Sequence, residues 1–514
     1  MNAGGIATAA ATVTSGWGMP AACGRRAGGK VQARRTDQEA GVGDEVLRQI
    51  AQVKAEAEQL AASGKVDPPA SADLESPESA KLVQGVRRAA EILSVGLLER
   101  EVEVKLLLLA ALTGEHLLLL GPPGTAKSEL ARRLSSVCHG TYFERLLTRF
   151  SVPEELFGPL SMKGLEEDRY QRQTGGYLPT AEVAFVDEIF KANSAILNAL
   201  LTLLNERLFD NGAERVKVPL LCLVGASNEL PESEELDALY DRFLIRRTVA
   251  QVSNNGLRDL ARLASSGTTS RPFQTDDAAP PLAMEDFIAC KDRAVEAVRV
   301  PDRVVDLLVG LREHLQDKCE PPVYVSDRRF TKCVTFLQVA AYANGAAEVS
   351  EYDCLLLQFA LGQRAEDGDK VLNWVLDNIS SDPGILQGEL ELLGVFGRAC
   401  RVMEASQGAD KSELVGECDA LLGNLREQQG AFSAALDGGF PMLRGSVWYS
   451  PQQVASATQI LTPPMKENVK KIESLIEETL IVKLALEKDV EAEVLEKLLP
   501  KRLKQYEKGV AAST

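Results

Sequence analysis

Apolar spacing changes character several times along the chain. Val46, Ile50, Val53, Ala57 and Leu60 recur at helical spacing, which predicts a short amphipathic helix over residues 44–62. Proline, serine and acidic residues then interrupt the pattern in Gly64–Ser79 (GKVDPPASADLESPES), which reads as a linker. Helical periodicity returns over Lys81–Leu98 and Glu101–Thr113. Short unbroken apolar runs follow: His116–Leu120, Val183–Val186 and Leu220–Val224, the first of them leading through a Gly-rich turn into a helix, Ser128–Cys138. Such runs alternating with helices predict an α/β fold, a parallel sheet with helices on both faces. Past a loop-like join, Ala264–Pro281, the pattern is helical only, with Val304–Leu315 and Arg329–Ala343 the clearest segments. Residues 380–460 are punctuated by glycine, with helices expected at Leu386–Glu404 and Lys411–Asp437. Residues 466–508 predict a long charged helix or helical hairpin, with Ile472, Leu475, Ile476, Leu480, Ile481, Leu484 and Leu486 as its apolar stripe and Pro500 interrupting it. No tandem repeat is present. The expected division is an arm (1–36), a helix and acidic linker (37–79), an α/β core (80–263), an all-α lid (282–380) and a helical C-terminal extension (381–514).

Composition narrows the class. The chain has 514 residues, 45 % hydrophobic and 25 % charged, which is globular and excludes a disordered chain, a collagen or a disulfide-stapled mini-protein. No stretch approaches the roughly 18 apolar residues of a membrane-spanning helix. The nine cysteines are odd in number and form no CxxC pair, which argues against a zinc site or a disulfide framework and for reduced thiols in an intracellular compartment. A formal charge of −17 repels nucleic-acid backbones and anionic lipid, although a local basic pore is still allowed. Residues 1–36 stand apart: Arg25, Arg26, Lys30, Arg34 and Arg35 with no acidic residue, in an Ala/Gly/Ser/Thr-rich background. That is the composition of an organellar transit peptide, with Val31-Gln32-Ala33 suited to nearby cleavage; a plain N-terminal arm is the alternative. Removal of its five basic residues would take the charge from −17 to about −22. A chloroplast is the preferred destination, a mitochondrion the alternative, and the cytoplasm if the arm is only an arm.

Candidate chemistry begins at Gly121-Pro122-Pro123-Gly124-Thr125-Ala126-Lys127-Ser128, placed after a strand and opening a helix. That is the context of a phosphate-binding loop, in which backbone N–H groups and a helix N-terminus cradle phosphates. Lys127 would reach the β- and γ-phosphates and Ser128 would ligate Mg²⁺. Ala126 replaces the usual second glycine, so a backbone in the normal helical region is expected there. Downstream, Val183-Ala-Phe-Val186-Asp187-Glu188 is an apolar strand ending in two carboxylates. Asp187 would hold the Mg²⁺ shell and Glu188 would orient and deprotonate the attacking water; a solvated acidic turn is the alternative. The third strand leads to Asn228, whose amide can hold the same water or simply make a turn. Arg242 and Arg246, far from the loop in sequence, suit a finger inserted into a neighbouring subunit's site, against surface ion pairs. Arg328, in Ser326-Asp327-Arg328-Arg329, can touch the γ-phosphate from the lid side or act only as a helix N-terminal charge.

These segments resemble AAA+ ATPases, and within them the MoxR group: GPPGTAKS (121–128), whose Ala-Lys-Ser ending is typical of the group, FVDEIF (185–190), LLTLLNERLFDNGAERVKVP (200–219), GASNELPE (225–232), LYDRFLIR (239–246) and VSDRRF (325–330). Within that group the chain is most similar to the RavA subfamily, through Gly96-Leu97-Leu98-Glu99-Arg100, Thr148-Arg149-Phe150 and Phe157-Gly158-Pro159-Leu160. The resemblance implies a ring, a homo-hexamer, with ATP and Mg²⁺ at each subunit junction. It implies that Gly96, Leu98 and Glu99 lie beside the adenine and that residues 121–129, Glu129 included, contact the nucleotide. It further implies a hairpin inserted at 158–178 and another at 208–218, both facing the pore or a partner; Asp210-Asn211-Gly212 is independently a hairpin turn signal. Relatives work with a von Willebrand A-domain partner, whose metal site needs a DxSxS motif; none occurs here, so such a partner is a separate chain. Residues 380–514 resemble nothing nameable and are expected to set partner choice.

The leading expectation is an ATP-hydrolysing AAA+ motor, chaperone-like, that remodels protein clients or complexes. No HExxH peptidase signature is present, and of the three histidines, His116 and His139 read as structural. A nucleic-acid motor is the runner-up, but Lys163, Arg169 and Arg172 in the inserted hairpin are balanced by Glu166, Glu167 and Asp168. A slow nucleotide-gated scaffold is the third alternative.

Overall fold

The structure is a computed structural model that describes residues 36–63, 74, 77–231, 233–265, 280–381, 383–404 and 411–512. The transit-peptide expectation for residues 1–36, most of the 64–79 linker and most of the 264–281 join lie outside the described residues, as does Cys23.

In chain order the first part comprises α1 (Thr36–Ser63), α2 (Pro77–Ser94), α3 (Glu101–Thr113), β1 (Leu117–Leu120), α4 (Lys127–Cys138), β2 (Tyr142–Leu146), the short helices α5 (Pro153–Phe157) and α6 (Met162–Glu166), and β3 (Val183–Asp187). It continues with α7 (Ser194–Glu206), β4 (Leu208–Asn211), β5 (Glu214–Lys217), β6 (Cys222–Ser227), α8 (Glu234–Arg242), β7 (Ile245–Thr248) and α9 (Asn254–Ser265). Five strands form one parallel sheet in the order β2-β3-β6-β1-β7, with Leu117 in register with Val224 and Ile245. The four leucines of β1 explain themselves in that position. Leu117 and Leu119 pack under α2, α3 and α4, while Leu118 packs on the opposite face with residues of α7 and α8. A strand buried on both faces reads as a continuous apolar run. The three central strands end along one edge, so Leu120, Asp187 and Ser227 deliver the segments after them to the same place, the edge at which open α/β sheets place their ligands.

Several boundaries differ from expectation. α2 stops at Ser94 rather than Leu98, and residues 95–99 turn, with Gly96 and Glu99 at positive φ. The strand expected at Leu220–Val224 runs Cys222–Ser227, which carries its tip to Asn228. β2 and β7 were not legible, since Glu144, Arg145, Arg246 and Arg247 interrupt their apolar pattern. Residues 158–173 form a lobe, closed by Ser161 N–H to Gln171 O and Gln173 N–H to Pro159 O, each 2.8 Å, with α6 at its tip. β4 and β5 form an antiparallel hairpin.

The helical remainder comprises α10 (Met284–Ala297), α11 (Asp302–Glu313), α12 (Asp327–Ala343) and α13 (Ala365–Ser380), then α14 (Pro383–Glu404), α15 (Ser412–Asp437), α16 (Pro441–Gly445), α17 (Pro451–Glu487), α18 (Ala492–Leu498) and α19 (Pro500–Ala512). α17 begins 15 residues before the expected 466 and passes through Pro463 and Pro464. A capping box starts it: Ser450 Oγ accepts from Gln453 N–H at 3.2 Å and Gln453 Oε1 accepts from Ser450 N–H at 2.9 Å. Its 37 residues extend about 55 Å.

The buried side chains fall into three clusters. One joins a face of the sheet to α10–α13 and to residues 440–465, including Phe440, Trp448, Leu461 and Met465. A second joins Val53 and Ala57 of α1 to α14, α15, α18 and the C-terminal half of α17. The third covers the opposite face of the sheet. Among the described residues no helix is long and apolar enough to cross a membrane. The eight described cysteines are buried and unpaired.

Candidate functional site

The segment after β1 is shaped by what each residue permits. Gly121 lies at φ +147°, and a Cβ there would stand 2.3 Å from Val249 O. Gly124 needs φ +77° in open space. Buried Thr125 closes the loop by donating from Oγ1 to Pro122 O at 3.0 Å. Pro122 and Pro123 are exposed. Ala126 corrects an expectation: its backbone is left-handed (φ 65°, ψ 25°), not helical, so its Cβ is strained. Lys127 and Ser128 open α4. The Lys127 ammonium donates to Gly121 O, to Pro122 O at 3.2 Å and to Asn228 Oδ1 at 3.4 Å. Burial pulls its pKa down; Asp187 and Glu188 act against that.

Glu188 is itself held at positive φ (53°) just past β3, which turns its carboxylate back over the strand tips. Its Oε1 accepts from Asn228 Nδ2 at 3.0 Å, and its Oε2 lies 3.3 Å from Lys191 Nζ. Asp187 Oδ1 accepts from Glu188 N–H at 3.0 Å. Lys127, Asn228 and Glu188 therefore form one polar chain across the tips of β1, β6 and β3. The Asn228 amide orientation follows from that network. Ser128 Oγ and the Asp187 carboxylate are hard oxygen donors suited to Mg²⁺, and the open space at Gly124 beside a helix N-terminus suits phosphate, so the residues present fit Mg·ATP.

The 95–100 turn is bracketed to this loop by Arg100, a role its sequence position did not reveal. Buried Arg100 donates to Thr125 O (3.2 Å), Ala250 O (2.8 Å) and its neighbour Glu99 O (2.7 Å). Gly96 is exposed and Leu98 half-buried. The Glu99 carboxylate accepts from Ser253 N–H at 2.8 Å and from Ser253 Oγ, at the start of α9; these bonds hold its pKa down. The Glu129 side chain faces away from the loop's phosphate side toward two arginines. Its carboxylate pairs with Arg132 (3.2 Å) and Arg133 (2.9 Å), and Arg133 donates in turn to Leu93 O, so Glu129 steadies the turn from behind.

The arginines separate into two kinds. Arg246 is half-buried with its guanidinium enclosed, stacked 3.6 Å over Tyr240, and donates to Phe243 O, Gly362 O and Tyr240 O; burial of the guanidinium, beside Arg329, brings its pKa down to about 9. It is committed to its own chain and is not a finger. Arg329, which sequence reasoning passed over, is buried and donates to Ala360 O, Leu244 O (2.8 Å), Phe243 O (3.1 Å) and Asp241 Oδ1 (3.1 Å), latching α12 to the core. Arg242 and Arg328 are different. Arg242 donates from Nη1 to Ala238 O at 2.8 Å, but its buried Nε meets no acceptor among the described residues. Burial and the adjacent Arg328 lower its pKa. Arg328 is exposed and donates to Asn205 Oδ1. One turn along α12, Lys332 pairs with Glu115, just before β1, and Ile245 N–H bonds His116 O. Both arginines thus lie at the start of β1, about 13 Å along the strand from the phosphate loop. The structure corrects the lid-side expectation: Arg328 does not reach its own chain's loop.

Comparison with known proteins agrees with this geometry. Residues 84–281 match the family described as the MoxR domain in the MoxR-vWA-beta-propeller ternary systems, and residues 303–375 match an AAA lid domain. Two uncharacterised proteins of Methanocaldococcus jannaschii are 40 % and 41 % identical over 288 residues, covering 56 % of this chain and 72 % and 74 % of theirs. The chaperone MoxR1 of Mycobacterium tuberculosis is 29 % identical over 162 residues, 30 % of this chain and 42 % of that one. With the MoxR domain and the AAA lid in series on a parallel sheet whose central strand feeds a phosphate loop, the chain belongs to the MoxR family of AAA+ ATPases.

Proposed function

We propose that this chain hydrolyses ATP in a homo-hexameric ring and uses the energy to remodel protein clients or complexes. The observation that carries the proposal is the polar chain from Lys127 through Asn228 to Glu188, which puts a phosphate-binding ammonium, a sensing amide and a general base at adjoining strand tips. In this function Lys127 and the N–H groups of residues 121–128 bind the phosphates. Glu188, oriented by Asn228, takes the proton from the attacking water. Mg²⁺ held by Ser128 and Asp187 would supply charge neutralisation between the phosphates. Arg242 and Arg328 stand together at the opposite end of β1 from the loop, with the buried Nε of Arg242 meeting no acceptor among the described residues, an arrangement that suits the γ-phosphate of a neighbouring subunit. Within the family we place the chain nearest the RavA subfamily, on its 96–100, 148–150 and 157–160 segments. A von Willebrand A protein is its proposed separate partner and a chloroplast its proposed compartment.

The test is the solution mass of residues 37–514 by light scattering, with Mg·ATP and without nucleotide, in the Glu188→Gln background, alongside ATP turnover of the parent. About six subunits with ATP, and turnover reduced by at least about a hundredfold by Glu188→Gln, are expected. Turnover surviving that substitution would refute the base assignment. A monomer in both states would leave Arg242 and Arg328 without a site to serve and would favour a solitary nucleotide switch.

A further inference from the structure

Two protrusions that are well separated in sequence, with Arg172 of one and Asn211 of the other 39 positions apart, are fastened along their length. At the root, Phe157, just before the 158–173 lobe, stacks on Phe209 of β4 with ring centroids 5.3 Å apart. Further out, the Asn211 side chain makes with the Arg172 backbone the pair of bonds that a neighbouring strand would make: Oδ1 accepts from Arg172 N–H at 2.6 Å and Nδ2 donates to Arg172 O at 3.2 Å. At the turn, Gly212 lies so close to the lobe that a Cβ would stand 2.0 Å from Tyr170 O. Arg172 then ties the lobe back to its base through Glu154 Oε1 (3.0 Å) and Gly158 O (2.9 Å). The hairpin leads directly into β6, whose other end presents Asn228. Meanwhile Met162, Tyr170 and Val216 stand 70 %, 58 % and 44 % exposed on the joined surface.

We propose that the 158–173 lobe and the β4–β5 hairpin are one mechanical element, clamped by Asn211, which carries movement of β6 to the exposed apolar side chains of the lobe. Asn211 is a positioning residue: its amide substitutes for a strand pairing that the irregular lobe cannot supply. Without it, the hairpin moves and the lobe stays behind. The clamp rests on the motor function proposed above, and the experiment separates the two.

Hydrogen exchange is measured by mass spectrometry on the full chain carrying Glu188→Gln, with and without Mg·ATP, and again with Asn211→Ala or Gly212→Ala added. In the parent, Mg·ATP is expected to protect 121–128 and to change exchange in 207–219 and 158–173 together. Asn211→Ala should keep the first two responses and lose the third. Without nucleotide, that variant should speed exchange at Ser161, Arg172 and Gln173 about tenfold while leaving 207–219 unchanged. A lobe that responds to nucleotide as before in both variants overturns the clamp, as does a parent in which the hairpin responds and the lobe does not. A parent whose 121–128 segment gains no protection overturns the ATP function instead. The clamp is then judged on nucleotide-free exchange, where an unchanged lobe in Asn211→Ala refutes it.

Discussion

Ala126 spends a left-handed backbone on a residue that carries a Cβ. That conformation costs about 1–2 kcal/mol, and glycine avoids it at an unfolded-state entropy cost of about 0.5–1 kcal/mol. Ala126→Gly should therefore raise the stability by about 0.5–1 kcal/mol, read as a higher urea midpoint at unchanged slope; a lower midpoint would show that the Cβ contributes packing that outweighs the strain. His116 makes a second prediction at this scale. Its Nδ1 accepts from Leu223 N–H at 3.1 Å and its Nε2 lies 3.2 Å from Leu204 O, an arrangement that needs the neutral ring. Burial, with Arg207 and Lys332 nearby, holds its pKa well below the usual value. Below about pH 6.5 the unfolded chain binds a proton that the native ring refuses, so stability falls as pH falls through that value. His116→Gln should flatten the decline between pH 7 and pH 5 in urea titrations. An equally steep variant would assign the acid sensitivity to other groups.

At the scale of elements, α12 shows how two adjacent arginines divide their tasks. Arg329 falls on the same helical stripe as Cys333, Phe336, Leu337 and Ala340, all buried, whereas Arg328 is a residue off it. Arg329→Ala should cost about 3–5 kcal/mol, because it leaves several buried carbonyls unpaired, while Arg328→Ala should change stability by less than about 0.5 kcal/mol. Equal losses in thermal melts would contradict that division. The stripe was present in the sequence and would have identified Arg329, had a buried arginine been admitted as part of an apolar pattern. Other features were plainly legible: the four-leucine strand, the glycine-rich loop after it and the two carboxylates closing β3 each follow from local chemistry. β2 and β7 were not, because sheet-edge strands keep polar residues and lose the unbroken apolar signature. The Lys127–Asn228–Glu188 connection joins residues more than 100 positions apart at its widest, and only the strand order brings them together. The start of α17 was hidden by Pro463 and Pro464, which remove helical partners from the carbonyls of Gln459 and Ile460. Both residues are exposed, so water can take over those carbonyls and the helix continues.

At the scale of the molecule, the segment 440–465 belongs to the ATPase core although it lies beyond both matched domains. Trp448 is buried against α12 and donates from Nε1 to Ala340 O at 2.9 Å; Lys105 of α3 reaches Tyr449 O at 2.7 Å. Trp448→Ala should destabilise the core by about 3–5 kcal/mol. Urea unfolding followed by Mg·ATP protection of the phosphate loop would check it, since a tail merely appended to the core would leave that protection's midpoint unmoved. Past this segment, α17 is shared between two packed bodies: Ala457, Leu461 and Met465 sit in the first, Ile472 through Leu486 in the second. The tandem proline falls between Leu461 and Met465. Two missing rungs lower the bending stiffness of the rod at that point, and the 23 residues beyond it make an arm of about 35 Å. A turn of about 5° at the prolines sweeps the far end through about 3 Å. Small rotations at the base thus acquire leverage at the tip, but the bundle around α14, α15 and α18 is also stayed by the end of α15, where Ala435 and Leu436 pack on the first body, and by the bond from Asn468 Nδ2 to Ser380 O, so it is braced like a guyed mast.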